Sequence, residues 1–149
     1  MRGSAVQLLL LVLVSWTAFA QTQSAASAYD AYAGTWTAQF KGKTFLTLTL
    51  VSKNGTLSGT MTGATVRFNK DGSLSEATPK DTQHEVVDPL LNGGQLYFKT
   101  NEADKPPVGF QMKLTAANSG ELKLIIPGLP AGGADVQPWK IERKTEDQK

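Results

Sequence analysis

Apolar and polar residues alternate one by one through much of the chain after residue 34. Segments 36–40, 46–50, 57–61 and 108–114 place an apolar or small residue at every second position, with polar residues or glycine between them. Successive side chains of a β-strand point to opposite faces of a sheet, so this period predicts strands with one buried face. No helix-length segment carries the period of an amphipathic helix. The pattern predicts an all-β protein.

Turn-forming sequences separate these segments at intervals of about ten residues, the spacing of an antiparallel meander. They are Asn54-Gly55, Lys70-Asp71-Gly72, Asp88-Pro89, Asn92-Gly93-Gly94 and Asn118-Ser119-Gly120. Asn-Gly tolerates the two positive φ angles of a tight hairpin turn. Together with a last segment near the C-terminus, the spacing predicts about eight strands.

A sheet of this size has to protect the unpaired backbone groups of its edge strands. Closing into a barrel removes both edges, whereas splitting into two packed sheets gives a β-sandwich. We expect a single antiparallel up-and-down β-barrel over residues 33–144, with a β-sandwich as the alternative. Residues 145–149 are expected to form a polar tail.

The alternating apolar positions would form the inner face of such a barrel. An eight-stranded barrel is just wide enough to be filled by its own side chains or to hold one small ligand, and both alternatives fit this composition. If the barrel holds a ligand, we expect its binding site to be lined by the following residues: Phe40, Leu48, Met61, Phe68, Phe98, Phe110 and Met112.

The N-terminus has the features of a secretory signal peptide over residues 1–20. Arg2 precedes an apolar run, and Ala18-Phe19-Ala20 is a small-x-small cleavage sequence. The run is shorter than the ~20 apolar residues that a membrane-spanning helix needs. We expect cleavage after Ala20, a secreted or periplasmic protein, and no membrane span after signal removal. Residues 21–32 are small and polar, which predicts a flexible leader.

Charge and cysteine content narrow the class further. The 149 residues include 15 basic residues, 13 acidic residues and no cysteine. A net charge near zero gives no electrostatic basis for nucleic acid binding. Without disulfides, a secreted chain of this size has to be held by core packing and strand pairing. Its length is enough for one domain.

The two ends of the chain carry a matching pair of features. Gly34-Thr35-Trp36 opens the first predicted strand, and residues 139–143 form the last. Trp139 and Arg143 share a face because their positions differ by four, an even number. An inward Arg143 needs partners for its donors, and stacking on Trp36 beside backbone carbonyls at a barrel end would provide them.

This combination resembles the calycins, a group of barrels that includes the lipocalins and avidins. Their shared mark is a G-x-W sequence at the start of the first strand, with a basic residue of the last strand across the tryptophan. Gly34, Trp36 and Arg143 match these positions, and Leu57–Met61 is similar to the second avidin hairpin. The resemblance implies a small up-and-down barrel. It does not extend to biotin binding, because no tryptophan lies between Trp36 and Trp139.

The sequence shows no combination of side chains typical of catalysis or metal binding. His84 is the only histidine, and its polar neighbours predict a surface position. With no cysteine, a zinc site would depend on carboxylates almost alone. Neither a G-x-S-x-G motif nor a glycine-rich phosphate loop is present. We expect no catalytic residue, no metal and no cofactor.

Two predicted loops are candidate contact surfaces. Residues 101–107 contain Lys105-Pro106-Pro107, and residues 127–138 form a long connection rich in glycine and proline. Long loops between hairpins are often lids or binding loops. Leu129 and Val136, if exposed, would offer apolar contacts at the barrel rim. A loosely ordered connector is the alternative.

Three functions fit these features. The first is a binding protein that holds a small hydrophobic ligand. The second is an exported protein-interaction module, such as a protease inhibitor, acting through its loops on a protein partner. A barrel-type isomerase or cyclase is the third, and it would need a buried titratable group beyond Arg143. A cavity of roughly 300–1,000 Å3 favours the ligand, whereas a filled interior with an apolar rim favours the partner.

Overall fold

A computed structural model describes residues 27–126 and 135–145. Within these residues, eight antiparallel strands form one closed barrel in sequence order, and the last strand pairs with the first. The strands are β1 Gly34–Phe40, β2 Lys43–Lys53, β3 Thr56–Phe68, β4 Leu74–Asn92, β5 Gln95–Asn101, β6 Val108–Ala116, β7 Ser119–Ile125 and β8 Trp139–Arg143. The predicted up-and-down barrel is confirmed, and the β-sandwich alternative is not.

The end of the barrel where β1 begins and β8 ends is closed by side chains. The Trp36 indole is fully buried, and its Nε1 donates a hydrogen bond to the Tyr32 carbonyl at 2.9 Å. The Arg143 guanidinium carbon lies 4.5 Å from the centroid of the Trp36 ring. Arg143 Nη2 donates to the Ala31 carbonyl. The predicted contact between Trp36 and Arg143 is confirmed, and we call this the closed end.

Gly34 is required at the closed end for two reasons. Its φ angle is +126°, which L-residues with a side chain rarely adopt. A Cβ atom there would also lie 3.2 Å from Cδ of Arg143. The Arg143 side chain therefore passes directly over the space that a larger residue would need. This contact explains the spacing of glycine and tryptophan at the start of β1.

The segment before β1 is part of the fold, in contrast to the expected flexible leader. Residues Ala28–Tyr32 form a 3-10 helix, and Tyr32 is only 5% exposed. The Tyr32 hydroxyl donates to the Gly94 carbonyl at 2.9 Å, and burial raises the pKa of this side chain above its usual value. The leader prediction is thus wrong for residues 28–32. Residues 1–20 and 21–26 lie outside the described residues.

Bulges change which residues face inward along individual strands. Asp88-Pro89, predicted as a junction between strands, lies inside β4, where the pairing with β5 skips from Val87 to Leu90. Asp88 has a φ angle of +52°. In β2, the pairing with β1 skips Phe45, so that Phe45 and Leu46 are both buried. Such bulges bend the strand and let neighbouring residues share one face.

Substitution of Trp36 tests how much the closed end contributes to stability. We expect Trp36→Ala to lower the free energy of unfolding by about 3–5 kcal/mol, because it empties a fully buried aromatic site. Val51→Ala is the control, since Val51 is 50% exposed on β2, and it should change the value by less than about 0.5 kcal/mol. Urea unfolding measures both. Equal losses in the two variants would contradict this role of Trp36.

Candidate functional site

The distal parts of β3 and β4 leave the barrel wall as a two-stranded ribbon. Pairing between β2 and β3 ends at Met61, and pairing between β4 and β5 begins at Glu85. Within the described residues, the parts of β3 and β4 beyond these points pair only with each other. We call residues 62–84, including the connecting turn, the ribbon.

Local interactions explain why the ribbon separates at this point. The Thr62 hydroxyl accepts a hydrogen bond from the backbone nitrogen of Thr47 at 2.8 Å, so a side chain takes the place of the next ladder bond. Opposite Gly63, the β3–β4 register skips several residues of β4. A Cβ atom on Gly63 would lie 2.2 Å from Thr82 Oγ1 and 2.9 Å from His84 Nε2. A larger residue at this position would force the Thr82 or His84 side chain to shift.

The ribbon crosses the other end of the barrel and contacts the opposite wall. The Gly72 carbonyl accepts from the Gln137 backbone nitrogen at 2.9 Å, just before β8. The Phe68 ring stacks on Trp139, with centroids 6.3 Å apart. In strand order, β8 lies on the far side of the barrel from β3 and β4. The ribbon therefore forms a roof over this end, which we call the mouth.

The ribbon turn is itself ordered by hydrogen bonds. Asp71 Oδ1 accepts from the Ser73 hydroxyl and from the Ser73 backbone nitrogen at 2.9 Å, and these bonds lower the pKa of the Asp71 carboxyl. Gly72 has a φ angle of +82°, and a Cβ atom on it would lie 1.9 Å from the Asp135 carbonyl oxygen. The turn thus fits closely against residues 135–137.

This contact corrects the expected position of Val136. A contact role for Val136 at the rim requires an exposed side chain, but this side chain is only 5% exposed. Docking of the ribbon turn against residues 135–137 accounts for the burial, because the Val136 Cα lies 3.3 Å from the place of a Cβ on Gly72. Leu129 lies outside the described residues.

A partly open cavity of about 180 Å3 lies in the barrel beneath the ribbon. Most of the strands contribute to its wall, which is mainly apolar. The lining residues are Leu46, Met61, Thr62, Gly63, Ala64, Val66, His84, Thr100, Glu102, Val108, Phe110, Leu124 and Trp139. The structure thus has a filled closed end and a small empty space at the mouth.

The predicted ligand-lining residues lie in four different places in the structure. Met61 and Phe110 line the cavity. Phe68 belongs to the roof. Phe40 borders a surface groove between the β1–β2 turn and the ribbon. The others are almost fully buried and fill the middle of the core without lining the cavity: Leu48, Phe98 and Met112.

Four polar side chains line the cavity, and none of them is among the predicted site residues: Thr62, His84, Thr100 and Glu102. His84 is half-buried there, in contrast to the expected surface position. Thr100 is 5% exposed, and Glu102 forms an ion pair with Lys105 at 2.8 Å. The Lys105 hydrogen bond lowers the pKa of the Glu102 carboxyl.

An extension of the two-residue period would have identified three of these polar residues. His84 lies two positions before Val86, and Thr100 and Glu102 lie two and four positions after Phe98. Both Val86 and Phe98 are buried. Side chains two positions apart share a face of a strand, so the inward face continues through the polar residues toward the mouth.

Trp139 forms the junction between cavity and roof. Its ring packs edge-on against Phe45, with centroids 5.4 Å apart and an angle of 81° between the planes. Its Nε1 is buried and has no hydrogen-bond acceptor among the described residues. A buried donor without an acceptor costs about 1–3 kcal/mol, which makes Trp139 an unusual wall residue.

Comparisons with protein-family models, curated proteins and solved structures find no match to this chain. In the described part of the chain, no group of three or more His, Asp or Glu side chains is arranged to hold a metal ion. No helix of residues 27–126 or 135–145 is long and apolar enough to cross a membrane. The site is therefore defined by its own geometry.

Gly63→Ala tests whether close packing at the base of the ribbon shapes the site. The added methyl group would overlap Thr82 and press on His84, so we expect a loss of about 1–3 kcal/mol in unfolding free energy and a shifted His84 ring signal in NMR spectra. Gly109→Ala is the matched control, because its Cβ would lie 3.4 Å from Ile125. An undisturbed His84 signal in Gly63→Ala would contradict this packing.

Proposed function

We propose that this protein is an exported binding protein that holds a small hydrophobic molecule in the mouth cavity. The observation that supports this function best is the partly open, mainly apolar cavity beneath the ribbon, bordered by Met61, Phe110 and Trp139. Cores are normally packed without voids of this size, because empty space forfeits dispersion contacts. A ligand would restore those contacts.

We also propose a distant relationship to the calycin barrels. The closed eight-stranded barrel, Gly34 under the Arg143 side chain, and the stacking of Arg143 on Trp36 support it. A relationship of this kind is consistent with a binding role, because barrels of this size can enclose one small molecule. The proposal rests on a few positions at the two ends of the chain.

Export is proposed from the N-terminal sequence. The apolar run after Arg2 and the Ala18-Phe19-Ala20 sequence support cleavage after Ala20 and a secreted or periplasmic location. We propose no catalytic role. The Glu102 carboxylate at the cavity already has Lys105 as its partner, which makes it a poor proton acceptor.

A protein-interaction module remains the second candidate. Three large apolar side chains are exposed near the mouth: Ile126 is 40% exposed, Val108 39% and Ile125 37%. A groove of about 500 Å3 runs between Pro106-Pro107 and the end of β7. Exposed apolar clusters often mark contact sites for proteins. The small cavity volume, below the usual range for drug-sized ligands, also leaves this function open.

Native mass spectrometry of the protein purified from its own host tests the proposed function. We expect a retained small molecule on a chain that begins at Gln21. Release of the molecule by mild activation and its absence after unfolding would show that it is bound without a covalent bond. A co-purifying protein in place of a small molecule would support the second candidate, and a chain that retains residues 1–20 would contradict cleavage.

Two variants, each with one alanine replaced by leucine, test whether the retained molecule occupies the cavity. Ala64 lines the cavity, so Ala64→Leu should fill part of the space and abolish retention. Ala117 is exposed in the β6–β7 turn at the opposite end of the barrel, so Ala117→Leu should retain the molecule as the wild type does. Equal retention by both variants would place the binding site elsewhere.

A further inference from the structure

We infer that the mouth cavity takes a neutral molecule with a single aromatic ring and a hydroxyl substituent, that is, a simple phenol. This inference rests on the proposed function and narrows its ligand class. It follows from three properties of the cavity: its volume, the side chains of its wall, and the state of its charged groups.

The volume of the cavity limits the ligand to one ring. A cavity of about 180 Å3 lies below the range of roughly 300–1,000 Å3 typical of drug-sized or lipid-sized ligands. An apolar protein cavity of about 150 Å3 is known to bind benzene. The roof contacts of Phe68 and Gly72 prevent expansion of the space unless the ribbon moves. A long acyl chain or a two-ring molecule therefore does not fit.

The wall favours an aromatic ligand. Phe110 and Trp139 present rings to the cavity, and Met61 presents a thioether. Ring-to-ring contacts contribute about 0.5–1.5 kcal/mol beyond buried area, and a thioether beside a ring edge contributes a similar amount. The Phe110 ring is itself held by stacking on Phe98, with centroids 5.5 Å apart. A flat ring between these side chains gains contacts that a branched aliphatic molecule does not.

The charged groups favour a neutral ligand. Glu102 is already paired with Lys105 at 2.8 Å. Among the described lining residues, His84 is the only other ionisable side chain. An anionic ligand would approach the Glu102 carboxylate and would lose its hydration. The nearby cations Lys105 and Lys80 already act on that carboxylate, so the loss is poorly compensated.

The hydroxyl group of the inferred ligand follows from two polar side chains of the cavity wall. The imidazole of His84 and the hydroxyl of Thr100 both line the cavity, on β4 and β5. A phenol can donate one hydrogen bond and accept another, so it matches this pair. A purely apolar ring gives neither group a hydrogen bond, and His84 Nε2 then keeps only its 3.4 Å contact with Thr82 Oγ1. The hydroxyl of the ligand is therefore oriented toward β4 and β5, with the ring toward Trp139.

The chain provides its own reporters for a binding experiment. His84 is the only histidine, so its ring signals in NMR spectra need no assignment. The Trp139 indole N–H reports on the cavity, and the Trp36 indole N–H, bonded to Tyr32 at the closed end, is an internal control. A Trp139→Phe variant assigns the indole signals. The probes are p-cresol, toluene, 4-methylbenzoate and dodecanoate.

We expect p-cresol and toluene to shift the Trp139 signal and leave the Trp36 signal unchanged. Only p-cresol should shift the His84 signals, and it should bind about three- to tenfold more tightly than toluene, the gain of about one hydrogen bond. 4-Methylbenzoate should bind at least about tenfold more weakly than p-cresol because the Glu102 carboxylate of the wall opposes its charge. Dodecanoate should not shift Trp139.

His84→Leu separates the hydroxyl contact from the rest of the site. The variant should lower the affinity for p-cresol by about three- to tenfold and leave the affinity for toluene unchanged. Equal losses for both probes would show that His84 acts only through packing and would overturn the assignment of the hydroxyl.

The remaining outcomes distinguish this inference from the proposed function. One such outcome is a Trp139 signal that shifts with dodecanoate but not with p-cresol or toluene. It would overturn the one-ring inference and support a ligand-binding cavity. If 4-methylbenzoate binds more tightly than p-cresol, only the inference that the ligand is neutral is overturned. If none of the four probes moves the Trp139 signal and no molecule is retained in native mass spectra, both the inference and the proposed function fail.

Discussion

The contact between Arg143 and Trp36 is the constraint on which the rest of the barrel depends. The two residues are paired across β1 and β8, the strands that close the sheet on itself. A guanidinium over an indole contributes about 2 kcal/mol or more when it is shielded from water. It also requires Gly34 below it and the Ala31 carbonyl beside it. These requirements fill one end of the barrel, so any interior site has to lie at the mouth.

The structure of the mouth depends on irregularities within single strands, which change which residues point into the barrel. In β3, Met61 points inward, and so do Val66 and Phe68, although their positions differ from that of Met61 by odd numbers, five and seven. A strand can do this only if an irregularity such as a bulge lies between them, here at Gly63. The same reasoning applies to Phe45 beside Leu46. The irregularity releases the ribbon, and the ribbon encloses the cavity.

Much of the barrel follows from residues that alternate in sequence. The strands, the Asn54-Gly55 hairpin and the Trp36–Arg143 contact could be predicted because they depend on period, turn chemistry and pairing of the chain ends. The burial of Val136 and Tyr32 could not be predicted in this way, because each is covered by a segment distant in sequence: the ribbon turn covers Val136, and the β4–β5 turn holds Tyr32. Their neighbours are set by tertiary contacts rather than by local pattern.

The candidate site was only partly predictable for the same reason. Met61 and Phe110 stand at inward positions of regular strands, so their period indicates the interior. His84 and Thr100 occupy inward positions too, but their polarity predicts exposure unless the ribbon covers the mouth. The cavity thus combines an apolar wall, which the sequence pattern indicates, with a polar border that exists only because a bulge lets the ribbon cross the barrel.

The ribbon covers a mainly apolar cavity at the mouth, and this cavity is the basis of the proposed binding role. Diffraction from crystals of the protein under xenon pressure tests it most directly, because xenon enters dry apolar cavities of this size. The account predicts a xenon atom between Met61, Phe110 and Trp139, with none at the closed end beside Trp36. Absence of xenon from the cavity, or xenon confined to the outer groove along Pro106-Pro107, would contradict it.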